Sequence, residues 1–442
     1  MKKTLLLYPA TFVVTALICL LFMMASALVP KGLIEDNARE SAVFFRENPL
    51  FTKVVGGLEN FKIDNYADCI STGIAYHLDS EHPFTSVISA DYNRVAGENV
   101  NVSFYRQMQG KEVETQSYSR YWHGSAGVIR LLLICMDVRV MRYVIMAIGV
   151  LLQLILTGML VKRKQTGLGV IYLLAFLLVN GVFALSCFEY AFIFLLIPVA
   201  TMVLLNEKIG QKDLKVELTF LVIGMMTAFF DFLTSETLTF TIPFTIYYIV
   251  MYKSKTMKVS GKNKTCHWLL FLKSGLSWCG GYGGMFLLKW LLAAVVLGRD
   301  ALSTAMDTAM ERISGDVSLT LYANGETANL TEKIKGIFVR NLGCLYWGSN
   351  DMKMSTFLII VMTSVTALAI FWYMARKDKI KMDKAGVLAV VALVPYVRFL
   401  LISNHSYIHY FFTYRAQMVT VLIVFYLIYK TTFLSSPINR RK

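Results

Sequence analysis

The sequence is short of charge: only 17% of its 442 residues are Asp, Glu, Lys or Arg, against 56% that are hydrophobic. Average globular chains are about half apolar and about a quarter charged, so too little polar surface remains here to cover a soluble fold. That shortage excludes an ordinary soluble enzyme. Acids are scarcest, 29 against 44 Lys and Arg, which leaves a formal net charge of +15. Such an excess would suit a nucleic-acid binder only if it lay on one folded face. The seven cysteines include no C-x-x-C pair, so the usual signature of a zinc or redox centre is missing. No nucleotide-binding signature occurs in the short basic connections, which are too brief to form a domain.

What is present is a series of apolar windows. About 20 apolar residues cross a bilayer core of about 30 Å as a helix. Ten windows of roughly that kind run over 7–29, 139–161, 167–186, 188–205, 216–234, 237–252, 279–298, 354–374, 385–402 and 416–434. They predict an all-α membrane protein of about ten transmembrane helices with a large helical first outer loop. The organisation follows: a first span in 1–29, an outer loop with an interfacial helix in 30–138, and spans two to seven in 139–298. A second outer loop fills 299–353, and spans eight to ten with a tail fill 354–442. The first window exceeds the apolar stretch of about 7–15 residues in a signal peptide, so it is read as retained, although Ala25-Ser26-Ala27 imitates a cleavage site.

Threading the spans in alternation puts every basic cluster on one side, among them Lys162-Arg163-Lys164, Lys253 to Lys264 and Arg440-Arg441-Lys442. By the positive-inside rule that side is the cytoplasm, with both termini inside. The positive excess thus becomes a mark of orientation that can meet anionic lipid, not nucleic acid. Most acids lie in the two long outer connections. There, Asn37 is expected to cap a helix holding Ala42, Phe44 and Phe45, Asp64 to cap Tyr66 to Leu78, and Phe84 to Val95 to form a third. The polar stretch Gly97 to Ser119 reads as a loop, and 126–138, with Arg130 and Asp137, as a helix in the membrane interface. Cys69 and Cys344 fall one in each long outer connection, where a disulfide could join them.

Three constellations carry chemistry. In Asp64-Asn65-Tyr66-Ala67-Asp68 two carboxylates at i and i+4 share a helix face. They could bind a divalent cation or set an ionised base beside a protonated neighbour; the plainer reading is an N-cap with a solvated Asp68. In Tyr118 to Gly124, aromatic residues at a membrane boundary could be an interfacial belt. Alternatively Arg120, beside Tyr121 and Trp122, clamps a phosphate and His123 carries a proton. His405 and His409 are spaced as zinc ligands on a helix would be, but no acid in Ser403 to Arg415 supplies a third ligand, and with Tyr414 and Arg415 they suit an anionic head group better. Ionisable residues in spans are candidates by cost alone: Asp231, Glu236, Glu189, Arg398 and Lys289, the last expected to pair with an acid or reach water. The glycines between Gly280 and Gly284 read as close helix packing.

This layout resembles the GT-C class of membrane glycosyltransferases. The runs Asp64 to Asp68, Arg120 to Gly124, Asp231 to Thr234, Gly281-Tyr282 with Lys289-Trp290, and His405 to Arg415 are also similar to those of bacterial polytopic membrane proteins associated with surface polysaccharide synthesis. The resemblance implies a bacterial plasma-membrane protein that moves a sugar from a polyprenyl-phosphate carrier to a glycan or lipid acceptor on the outer face. It implies Asp64 or Asp68 as base, and Arg120, His123 and Arg415 as holders of the lipid phosphate. In that class the acid often follows the first span closely, a place filled here by Glu35-Asp36. The competing readings are a transporter or lipid flippase, with Lys289, Arg398, Asp231 and Glu236 as a polar path, and a scaffold without chemistry.

Overall fold

A computed structural model describes residues 6–251, 265–314, 330–348 and 382–432, with a few between 361 and 368. Almost all of the predicted eighth span, 354–374, and the basic tail lie outside the described residues. The described chain is helical, with two small antiparallel ribbons.

Six helical stretches are long and apolar enough to cross a membrane: α1 (Leu7–Ala27), α7 (Val138–Lys162), α9 (Phe188–Leu205), α12 (Thr265–Leu297), α15 (Met382–Leu401), and Tyr410–Lys430, which ends in α17 (Met418–Thr432). Between them α8 (Thr166–Leu178) and α11 (Leu238–Val250) are apolar but shorter, and α10 (Asp213–Phe230) begins with Asp213, Lys215 and Glu217. The window 167–186 breaks because Asn180 adopts a left-handed conformation, φ 53°, just after α8. In contrast, α12 starts well before its window. Lys273, which interrupts the apolar run, is neutralised by Glu217 of α10 at 3.2 Å. Leucines and valines face outward from these helices, with Val295 on α12 84% exposed, as expected where lipid is the solvent.

The outer segment between α1 and α7 is α2 (Glu35–Glu47), β1 (Phe51–Lys53), β2 (Lys62–Asp64), α3 (Asn65–His77), α4 (Pro83–Ser89), β3 (Tyr92–Asn93), α5 (Val100–Met108), β4 (Thr115–Gln116) and α6 (Gly124–Leu132). Its apolar residues Phe45, Ile74 and Phe104 belong to one core with Ile145, Tyr190 and Phe412 of the long helices. Several expectations are corrected here. Asn37 lies inside α2 and donates to Leu133 O instead of capping. The polar stretch 97–119 holds α5, anchored by fully buried Phe104. The interfacial helix is α6, packed inward, because its fully buried Arg130 donates to Val29 O, Ala75 O and Tyr76 O. Cys69 and Cys344 are separate buried thiols.

After α12 come α13 (Arg299–Ser314), α14 (Leu330–Trp347), α15, α16 (Ser403–Ile408) and α17. The α10–α12 crossing is the tightest, and glycine makes it so. A Cβ at Gly224 would lie 2.1 Å from Trp278 O, and one at Gly281 2.1 Å from Leu221 O, whereas Gly280 and Gly283 face open space. We expect Gly281→Ala to lower the melting temperature of the detergent-purified protein, an overpacking cost of about 1–3 kcal/mol. Gly283→Ala should leave it unchanged.

Candidate functional site

Asp64 closes β2, opposite Phe51 of β1, and caps α3 by accepting the Ala67 N–H at 2.9 Å. One turn later Asp68 is fully buried and committed elsewhere. It accepts from Arg142 Nη2 at 2.6 Å and Nε at 3.1 Å, and from the Glu189 N–H at 3.3 Å, while Arg142 also donates to Asn65 Oδ1 at 2.8 Å. The expected divalent cation at Asp64 and Asp68 therefore finds no free pair of carboxylates, and Asp68 is unsuited to act as a base. Among the described residues no group of three or more His, Cys, Asp or Glu is arranged to hold a metal.

The partner of Asp64 is instead Glu189, in the first turn of α9. The two side chains lie against each other, brought together where Asp68, one turn beyond Asp64, accepts the Glu189 N–H. Burial, reinforced by the Asp68 charge, pushes Asp64 up to about 6, with the Ala67 N–H, Glu189 and Lys62 acting the other way. Glu189 Oε2 is buried without a protein partner. The nearer acids are not part of this pair. Glu35 lies in the first turn of α2, ion-paired to Arg39 at 3.1 Å and beside Tyr76, at the far end of α3 from Asp64, and Asp36 is exposed.

The run Tyr118 to His123 divides into working and structural members. The Arg120 guanidinium stacks 4.1 Å over Tyr118 and 5.6 Å over Tyr121, and its buried Nε has no partner. Tyr121 packs against Phe232 and Phe286. Trp122 is structural: fully buried, it donates to Met285 O at 2.7 Å. His123, at φ 55°, donates from Nε2 to Tyr118 O at 2.8 Å and leaves Nδ1 unpartnered. Burial, then the Lys289 charge, lowers its pKa to about 3, so it is neutral at physiological pH and does not serve as a proton carrier there. Lys289 neither meets an acid nor reaches water. It donates to Val87 O at 3.0 Å and Ile88 O at 2.9 Å, stapling α4 to α12.

On the other side, Asp231 accepts from the Thr234 N–H and hydroxyl, and Glu236 forms a buried ion pair with Arg398 at 2.9 Å. Arg398 Nη2 and His405 Nε2 both donate to Leu233 O, a residue at φ 66°. His409 Nε2 accepts from Arg312 Nη1 of α13 at 3.1 Å, and the two histidine rings touch at a tilt of 42°, centroids 4.5 Å apart. Burial lowers both, His409 to about 3. Tyr414 is structural, donating to Val179 O at 3.0 Å. Arg415, fully buried, donates to Phe411 O and Asn60 O and stacks 4.8 Å over Tyr190, with Nε unpartnered.

These groups face one another. The Tyr118 hydroxyl feels the charges of Arg120, Arg312 and Glu189, that of Tyr190 feels Asp64, Glu189 and Arg415, and Asp231 acts on Glu189. Sequence reasoning missed Arg142 and Arg312, which carry no local motif, and named Glu189 as a candidate without joining it to Asp64. Asp68→Ala would strand the Arg142 cation, at a cost of about 3–5 kcal/mol. We therefore expect a large fall in melting temperature for Asp68→Ala and little change for Asp36→Asn. No protein family, curated protein or solved structure matches this chain, so its site is read from its own geometry.

Proposed function

We propose that this protein is a GT-C-type membrane glycosyltransferase that moves a sugar from a polyprenyl-phosphate carrier to a surface glycan or lipid acceptor. The reaction takes place at the outer face of a bacterial plasma membrane, in a chain of ten crossings with both termini cytoplasmic. The observation that carries this reading is the adjacent carboxyl pair Asp64–Glu189 facing guanidiniums that have no acid partner among the described residues. Their positions agree with a surface site. Glu189 starts α9, Asp231 follows α10, Arg398 ends α15 and Arg415 precedes α17, so alternation of the helices gathers all four at one end.

Ionised Asp64 accepts the proton of the acceptor hydroxyl, and the hydroxyl oxygen forms its bond to the anomeric carbon as the bond from that carbon to the phosphate oxygen breaks. The electron pair leaves with the phosphate, where Arg120 and Arg415 stabilise the developing charge. Glu189, lying against it, keeps Asp64 oriented. The transporter reading loses members of its path, because Lys289 is held by the carbonyls of α4 and Arg398 by Glu236.

In membrane vesicles supplied with lipid-linked sugar, we expect Asp64→Asn to reduce transfer about 10²-fold or more, and Glu35→Gln and Asp36→Asn to retain it. Because the base must be ionised and its pKa is raised to about 6, the rate should fall as pH drops through about 6. Undiminished transfer by Asp64→Asn, or transport of the lipid without chemistry, would overturn the reading.

A further inference from the structure

The buried and half-buried cations of this protein differ in what holds them. Arg142 and Arg398 face carboxylates, and Arg130, Arg415 and Lys289 donate to main-chain carbonyls. Arg120 and Arg312 do neither. Each has a buried Nε without a protein partner, and no acid pairs with either among the described residues. Arg120 comes from the first outer connection, its carbonyl held by the Trp290 indole N–H at 3.0 Å. Arg312 comes from the second, on α13, which follows Gly298 at φ 98° and is docked by Ser403 Oγ on Ile313 O and Asn404 Nδ2 on Glu311 O. A neutral imidazole, His409, accepts from Arg312 and so orients its guanidinium without cancelling its charge. The two arginines are linked through one set of contacts. Tyr121, beside Arg120, packs on Phe232, while the adjacent Leu233 carbonyl holds His405, whose ring packs against that of His409.

Uncompensated guanidiniums at a membrane boundary are costly, and a ligand anion removes that cost. Arg presents a planar fork suited to bidentate contact with phosphate. We propose that Arg120 and Arg312 are the two jaws of a clamp for the diphosphate group of a lipid-linked ligand, one jaw to each phosphate. This rests on the reading of the site as the place where a lipid phosphate is handled, and it adds two things: the second outer connection supplies a binding residue, and the head group is a diphosphate. A single phosphate group would leave the second guanidinium without a phosphate of its own to bind.

The test is calorimetric binding to the full-length protein in detergent, with farnesyl diphosphate, farnesyl phosphate and inorganic pyrophosphate as probes. Farnesyl diphosphate should bind at least about tenfold more tightly than farnesyl phosphate, and pyrophosphate should compete with it. Arg120→Gln and Arg312→Gln should each weaken farnesyl diphosphate by about tenfold to a hundredfold, with Arg312→Lys in between and melting curves without ligand unchanged. Glu35→Gln, at the far end of α3, should bind as well as the parent. Equal affinity for the two prenyl probes, binding indifferent to both Gln variants, or binding of pyrophosphate alone would overturn the clamp. The two readings fail separately: loss of sugar transfer only in Asp64→Asn with Arg-independent binding removes the clamp, and Arg-dependent binding without any transfer removes the glycosyltransferase.

Discussion

Asp68 and Arg142 meet below the protein surface, where each charge would be severely destabilising without the other. Their contact does more than cancel charge. Asp68 belongs to α3 of the outer segment, Arg142 to the second turn of α7, and the same carboxylate receives the first N–H groups of α9 through Glu189. Three elements distant in sequence are thereby held at one point. Because Asp68 lies one helical turn beyond Asp64, fixing one fixes the other, and Asp64 is delivered to the Glu189 side chain. The reactive pair depends on the structural one.

The same logic sorts the other buried charges. Arg130 and Lys289 bind carbonyls at the ends of α1, α3 and α4, so they act as staples between the outer segment and the long helices. Glu236 and Arg398 hold the turn after α10 against α15. Once these commitments are made, Arg120, Arg312 and Arg415 are left without an acid partner among the described residues, and they lie around the tyrosines that also face Asp64 and Glu189. This polar cluster sits at the ends of apolar helices, beside α9 and α17. It suits a ligand with an anionic head and a hydrocarbon tail.

Much of the fold is legible in the sequence because hydropathy is additive over a window and needs no partner. The run 188–205 and helix α9 coincide for this reason. The Asp64 cap is equally local, an oxygen reaching a backbone N–H three residues on. Elsewhere the deciding partner is far away. Asp68 looked like a free carboxylate because nothing in its neighbourhood announces Arg142, and Lys289 looked orphaned because main-chain carbonyls have no sequence signature. Helix α5 was hidden by its polar composition, since one residue, Phe104, supplies much of its anchorage. Cationic partners from remote segments are what a single sequence conceals.

The most direct test of the account is an experimental density map of the protein in a lipid nanodisc with a prenyl-diphosphate-linked sugar bound. The account predicts the diphosphate between Arg120 and Arg312, the sugar ring against Asp64 and Glu189, and the tail leaving between helices into lipid. A head group bound away from the Asp64–Glu189 pair, or a continuous polar channel crossing the helices past Lys289, would contradict it.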